Sequence, residues 1–204
     1  MKLYYSPGAC SLAPHIVLRE AGLTAELIRV DLAAHRTEDG RDFMAINPKG
    51  QVPLLELDDG RRLSEGAVIA QYLGDRVDQP ALMPKPGSDA RYRLLEWQTF
   101  VTTELHKGFT PLFNAALAAD AKRVLSQTLA KKLRWVDAQL AERRYLLGES
   151  FSAADAYLFV VCGWTRMVGP DIQELRHLQR FLADVAERPA VRAALAAEGL
   201  LVAA

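Results

Sequence analysis

Cysteine is scarce in this chain: only Cys10 and Cys162 occur in 204 residues. Two distant cysteines make neither a disulfide framework nor the clustered spacing of a zinc or iron–sulfur site, so no metal is expected. A reducing cytoplasm is the compartment this usage fits. Long apolar runs are also missing, and none approaches the ~20 residues that span a bilayer. The first residues lack the continuous apolar stretch and cleavage-site pattern of a secretory signal. Charge of one sign is not in excess, with 25 Lys plus Arg against 25 Asp plus Glu. No global basic field therefore invites nucleic acid or an anionic membrane. There is no internal repeat, and no low-complexity tract apart from alanine-rich helix. A chain that is 50% hydrophobic and 25% charged has the composition of a globular protein able to bury its own core.

The stretch around which the rest is organised is Met1 to Ala21. Lys2 to Tyr5 reads as a short strand, Ser6-Pro7-Gly8 as a turn, and the residues from about Ser11 as a helix with Leu12, Ile16, Val17 and Leu18 on its apolar side. Pro14 is tolerated because a first helical turn has no use for that N–H. Cys10 sits just ahead of the helix, where unpaired N–H groups and the positive dipole end favour an anion. A thiol so placed can have its pKa moved from ~8.5 to between ~3.5 and ~7.5. Two readings are open on this stretch alone: a reactive thiol, or a small buried apolar residue.

Further along, Gly22 ends the helix and Ala25 to Leu32 alternates as a second strand. His35 to Arg41 is polar and reads as loop. Asp42 to Ile46 is a short helix closed by Asn47-Pro48. Leu54 to Leu57, the turn Asp58-Asp59-Gly60 and Arg61 to Leu63 form a hairpin. Ser64 is placed to cap a helix from Glu65 to Val77. The order βαβαββα over residues 1–78 makes an α/β layer domain. Residues 79–88, rich in Pro and Gly, read as a linker.

Beyond the linker no strand signal competes, so residues 89–204 form an all-α helical domain. Apolar residues recur every three or four positions from Asp89 to Leu117, with Pro111 breaking the last turns. A second long helix carries Leu125 to Leu140. The stretch Phe151 to Val168 is apolar nearly all round and reads as a buried central helix. Ser152 and Asp155 form a capping box with Asp in place of Glu. Two more helices follow, the last starting at Pro189.

Three fragments of the first domain could carry chemistry. Cys10 is a candidate thiolate. Val52-Pro53 precedes a strand, where a cis proline would leave the backbone of Val52 free to pair with an extended peptide, and a trans proline would merely start an edge strand. Ser64-Glu65-Gly66 opens a helix whose N–H groups could hold a carboxylate while Glu65 holds an ammonium; a plain N-cap is the other reading. In the second domain Thr99, Thr103 and His106 fall at spacings of four and three, on one helix face.

Taken together, Tyr4-Tyr5-Ser6-Pro7-Gly8-Ala9-Cys10-Ser11, Asn47 to Pro53, Leu63-Ser64-Glu65-Gly66, Glu104-Leu105-His106-Lys107 and Phe151 to Tyr157 resemble the cytosolic glutathione S-transferases. The block around Cys10 resembles the bacterial beta class, and the likeness covers essentially the whole chain. It implies a thioredoxin-like first domain, a helical second domain contributing the electrophile site, and a homodimer. It implies that Pro53 is cis, that Val52 pairs with the cysteinyl part of glutathione, and that Glu65 and Gly66 hold its γ-glutamyl end. Cys10 then lies beside the glutathione sulfur and can form a mixed disulfide with it. Catalytic roles fall to Cys10, His106 and Ser11, and further glutathione contacts to His35, Thr99, Thr103 and Lys107.

This chain departs from the pattern in three places: Gly66 where many relatives have Ser, His35 where many have Lys, and Thr99 where some have Asn. The implied reaction is conjugation of the glutathione thiolate to small apolar electrophiles. Alternatives are a glutathione-dependent thiol–disulfide reductase or reductive dehalogenase using Cys10, or a non-catalytic binding protein of the same fold.

Overall fold

A computed structural model describes residues 1–201. In chain order its first elements are β1 (Lys2–Tyr5), α1 (Leu12–Glu20), β2 (Glu26–Asp31), β3 (Arg36–Thr37), α2 (Phe43–Ile46), β4 (Leu54–Glu56), β5 (Arg62–Ser64) and α3 (Gly66–Gly74). The helices that follow are α4 (Asp89–Phe100), α5 (Lys107–Phe109), α6 (Ala119–Gln139), α7 (Ala153–Gly163), α8 (Arg176–Ala186) and α9 (Pro189–Ala197). The chain divides into two compact units, Met1–Gln79 with the segment from Arg188 onward, and Pro80–Glu187.

In the first unit the strands form one sheet in the order β3-β2-β1-β4-β5. β1 runs parallel to β2, and the other neighbours are antiparallel. Successive strand side chains point to opposite faces. Tyr4, Ile28, Val30, Val52 and Leu54 pack with Phe43 of α2 on one face. Leu3 and Leu55 belong to the other, where α1 and α3 pack on each other and bury Ile16, Val17, Ile69 and Leu73. Each such fully buried side chain contributes ~1.5–3 kcal/mol.

Strand β3 lies in the segment that reads as loop. Two residues at a sheet edge show no apolar period. Backbone pairing of Thr37 with Val30 and of Glu38 N–H with Arg29 C=O at 2.9 Å holds them instead. Asp42, read as the first residue of the short helix, instead caps α2 through Met44 N–H at 2.9 Å. Ser64 does not cap α3. It ends β5, and Glu65 makes the corner at φ 68°, with no cap bond from its side chain. The helix α9, expected among residues 89–204 of the helical domain, packs on α1 in this unit.

The second unit is helical. Among its residues no strand is present, and Tyr145 and Gly148 form an isolated bridge. The 80–88 part of the expected linker packs within the unit: Leu82, Met83 and Pro84 are buried, Leu82 C=O accepts from Ala153 N–H at 3.0 Å, and Pro84 C=O accepts from Arg91 Nε at 2.6 Å. Helix α4 starts at the Ser88 cap, which takes Arg91 N–H.

The single helix expected from Asp89 to Leu117 is instead four consecutive pieces. After α4 come a π-helical turn (Val101–His106), α5, and a 3₁₀ turn (Thr110–Phe113) containing Pro111. Thr102 and Thr103 hydroxyls donate to the carbonyls of Gln98 and Thr99 in this stretch, the back-bonding that disturbs a helix ladder. Helix α7 is buried nearly all round. At its start Asp155, fully buried, accepts from Ser152 N–H at 2.8 Å, Ser152 Oγ–H at 2.7 Å and Leu146 N–H at 2.8 Å. Burial outweighs these bonds and pushes its carboxyl up to about 6.

Candidate active site

In the first unit the turn after β1 and the loop before β4 bring Cys10 to Val52. The Cys10 thiol, half-buried, donates to Val52 C=O at 3.3 Å. Helix α1 begins two residues later, and the Cys10 carbonyl accepts Ala13 N–H at 3.2 Å. The Val52–Pro53 bond is cis, and Val52 N–H has no partner among the described residues. Asn47 shapes this loop, donating to Gln51 C=O at 2.7 Å and accepting Gly50 N–H on its own carbonyl at 2.8 Å.

Gly50 is required by its surroundings. Its φ is +63°, and a Cβ there would stand 2.8 Å from Met44 Sδ and 3.0 Å from His35 Cε1. His35 thus lies against the loop, itself at φ 50°, with Nδ1 buried and without a hydrogen-bond partner. Glu65 projects from its left-handed corner, 63% exposed, and its Oε1 meets Lys49 Nζ at 2.9 Å. The same ammonium donates to Ser64 Oγ at 3.0 Å. Lys49 was not singled out by sequence: a contact across sixteen positions leaves no local signal. Gly66 opens α3 beside Pro53, where a Cβ would lie 3.6 Å from Pro53 Cγ.

Ser11 needs correction as a candidate donor to a ligand sulfur. It is fully buried. Its hydroxyl donates to Ser6 C=O at 3.2 Å and accepts Ser6 N–H at 3.1 Å, so its one proton is committed to the turn. Tyr4 and Tyr5 are buried packing residues: Tyr4 lies 5.8 Å from the Phe43 ring and Tyr5 6.2 Å from the His15 ring. Burial and then the charge of Glu198 push the Tyr5 phenol above its ordinary value, which keeps it protonated.

In the second unit His106 Nδ1 lies 2.7 Å from Tyr157 Oη. Its ring stands edge-on to Trp164 at 4.9 Å, and Trp164 in turn meets Phe109 and Phe113. This aromatic group was missed by sequence, because its members come from separate elements. Thr99, Thr103 and Lys107 are exposed while His106 is half-buried. The spacing of four and three that puts Thr99, Thr103 and His106 on one face assumes an unbroken α-helix, and the π turn interrupts that ladder between Val101 and His106. Cys162 is fully buried in α7, and burial pushes its thiol up.

No group of three or more His, Cys, Asp or Glu among the described residues could hold a metal ion. No helix among them is long and apolar enough to cross a membrane.

A family model of the glutathione S-transferase N-terminal domain matches residues 8–76, and one of the C-terminal domain matches residues 113–197. The chain is 48% identical to glutathione S-transferase GstA of Escherichia coli O157:H7, over 98% of this chain and 100% of that protein. Among solved structures, a sphingomonad glutathione S-transferase complexed with glutathione superposes with a TM-score of 0.94 at 46% identity, covering 98% of this chain and 100% of that one. A bacterial beta-class enzyme of Sphingomonas chungbukensis gives a TM-score of 0.94 at 44% identity, with the same coverage of 98% and 100%. The chain belongs to the glutathione S-transferase family, in its bacterial beta class.

Proposed function

We propose that the protein binds glutathione along Val52, Glu65 and Gly66 and transfers its thiolate to small apolar electrophiles, with Cys10 beside the reacting sulfur. The observation that carries this reading is the pairing at Val52. Its N–H is open, and its C=O holds the Cys10 thiol at 3.3 Å. An extended peptide that adds to this backbone sets its central side chain next to Cys10. Glu65 and the N–H groups that open α3 offer a carboxylate and donors to the ammonium and carboxylate of a γ-glutamyl end. Lys49, which pairs with Glu65 here, yields to that ammonium. The names of the relatives, one of them solved with glutathione, support the same co-substrate. In conjugation the glutathione thiol loses its proton and its sulfur bonds to the electrophilic carbon as the leaving group departs.

A second reading is favoured by the exposure of Cys10 beside Val52. Here the Cys10 thiolate attacks a glutathionyl disulfide, forms a mixed disulfide and releases the other thiol. Glutathione thiolate then regenerates Cys10 with release of oxidised glutathione.

The half-exposed Phe113, the Trp164 edge and His106 offer an apolar, aromatic surface for the electrophile. Glutathione contacts of His35, Thr99, Thr103, His106 and Lys107 belong to this proposal, as do a homodimer and a cytoplasmic setting. The test is retention on immobilised glutathione with elution by free glutathione, followed by turnover of an activated aryl halide and of a small mixed disulfide. Retention with conjugation supports transfer. Passage straight through the column, by folded protein, contradicts the reading.

A further inference from the structure

We infer that Glu198, beyond the end of α9, is a positioning residue for the Cys10 turn, holding it through the backbone N–H of Gly8 so that the thiol stays on Val52 C=O. The inference rests on the reading of Cys10 as the reactive thiol. Between β1 and α1 the chain has no regular structure. Within the turn, Ala9 N–H donates to Ser6 C=O at 3.0 Å and Leu12 N–H to Ala9 C=O at 3.0 Å. Gly8 adopts φ +71°, where side chains are strained, and a Cβ on it would lie 3.7 Å from Leu200 Cδ2. The C-terminal segment therefore lies directly on the turn, and Gly8 N–H donates to Glu198 Oε2 at 3.0 Å.

The other oxygen of the same carboxylate fixes a second group. Glu198 Oε1 is 2.9 Å from His15 Nδ1, and both side chains are wholly buried. A carboxylate only accepts, so Nδ1 carries the proton. His15 Nε2 is then the acceptor for Arg19 Nε–H at 3.3 Å, which makes His15 the neutral Nδ1–H tautomer. Each Glu198 oxygen thus has a donor, as a buried carboxylate requires. One oxygen anchors the segment to α1 and the other reaches the turn that carries Cys10.

Docking of α9 on α1 has an independent anchor at its far end, where Arg188 meets Glu20 in a two-bond pair at 2.6 and 2.9 Å. Holding the helix and holding the turn are therefore separable by mutation. Without Glu198, Gly8 N–H turns to water, the turn loosens, and the Cys10 thiol spends less time on Val52 C=O. The thiol becomes more open to small reagents and less well placed for a bound peptide.

Three variants of the full chain test this: Glu198→Ala, Glu198→Gln and Arg188→Ala. The readouts are the rate of Cys10 alkylation by iodoacetamide, followed by peptide mass, and the thermal midpoint. Glu198→Ala is expected to speed Cys10 alkylation at least threefold, well below its unfolding temperature, and to lower glutathione-dependent kcat more than it raises KM. Arg188→Ala is expected to lower the midpoint and leave the alkylation rate unchanged. In Glu198→Gln the amide oxygen still accepts Gly8 N–H. Its NH2 forces His15 into the other tautomer, whose Nε2–H opposes Arg19 Nε–H. This variant should lose stability yet alkylate near the wild-type rate.

A wild-type alkylation rate in Glu198→Ala, or equal acceleration in Glu198→Ala and Arg188→Ala, overturns the inference. If Glu198→Ala does not fold, amide exchange of Gly8 in the wild-type protein decides. Exchange slowed at least tenfold relative to an unstructured peptide supports the bond, and free exchange overturns it. Wild-type Cys10 that reacts no faster than Cys162 would instead sink the reactive-thiol reading, and the Gly8 exchange rate would still judge the role of Glu198.

Discussion

Replacing Asp155 by Asn exchanges one oxygen for a nitrogen at the buried start of α7, and the cost can be worked from its three bonds. Oδ2 takes both Ser152 N–H and Ser152 Oγ–H, while Oδ1 takes Leu146 N–H. An Asn oxygen can fill only one of these places, and its NH2 faces a donor at the other. Whichever way the amide turns, one buried backbone N–H, that of Ser152 or that of Leu146, is left without an acceptor, at about 1–3 kcal/mol near pH 7. For a chain of this size that lowers the thermal midpoint by roughly 2–4 °C per kcal/mol.

The cost should also depend on pH. Burial raises the folded carboxyl from 3.8 to about 6, so between those values the folded state binds the proton more tightly than the unfolded one. The resulting stabilisation is fully present below the unfolded pKa and is lost as pH rises through the folded value. Asn lacks it. The stability gap between wild type and Asp155→Asn should therefore widen by about 1 kcal/mol from pH 7 to pH 5, and the widening should approach about 3 kcal/mol at still lower pH. Urea unfolding of both proteins at the two pH values measures this. A gap that narrows on acidification would show that the three hydrogen bonds outweigh burial, and would refute the reasoning.

Three further outcomes are expected. Glu65→Ala should weaken glutathione binding by about 1.5–3 kcal/mol, the range for hydrogen bonds to a charged group, since a side chain 63% exposed does not carry the larger cost of a buried pair; an unchanged calorimetric Kd in a folded variant contradicts this. Gly66→Ser should fit, because a Cβ meets Pro53 Cγ at an ordinary 3.6 Å; its hydroxyl should tighten glutathione binding by about 1 kcal/mol, and weaker binding would contradict the placement of the γ-glutamyl end. Gly50→Ala should destabilise the fold by about 1–3 kcal/mol through its positive φ alone, more if Met44 and His35 cannot move aside, and a midpoint equal to wild type would refute that.

The strands β1 and β4, the alternation in β2 and the turn residues between strands were legible in the sequence, because strands and hairpins have local signatures. So was the Ser152–Asp155 pair at the start of α7. What the sequence hid was non-local or irregular. Strand β3 is held by backbone pairing, which side-chain pattern does not record. Helical periodicity cannot distinguish one continuous helix from the α, π, α and 3₁₀ pieces over residues 89–113. Ser11 looks like a free hydroxyl beside Cys10 until its bonds to Ser6 are known. The contacts of Lys49 with Glu65, and of Glu198 with Gly8 and His15, join residues distant in sequence, and single-residue chemistry gives no hint of them.

The central claim is that Cys10 lies where it can meet the sulfur of bound glutathione. Intact-protein and peptide mass measurement after exposure to oxidised glutathione tests it most directly. The expected result is a single glutathione adduct on Cys10, removed by reductant, with Cys162 unmodified inside α7, where burial suppresses its thiolate. No adduct, or an adduct on Cys162 alone, would contradict the claim.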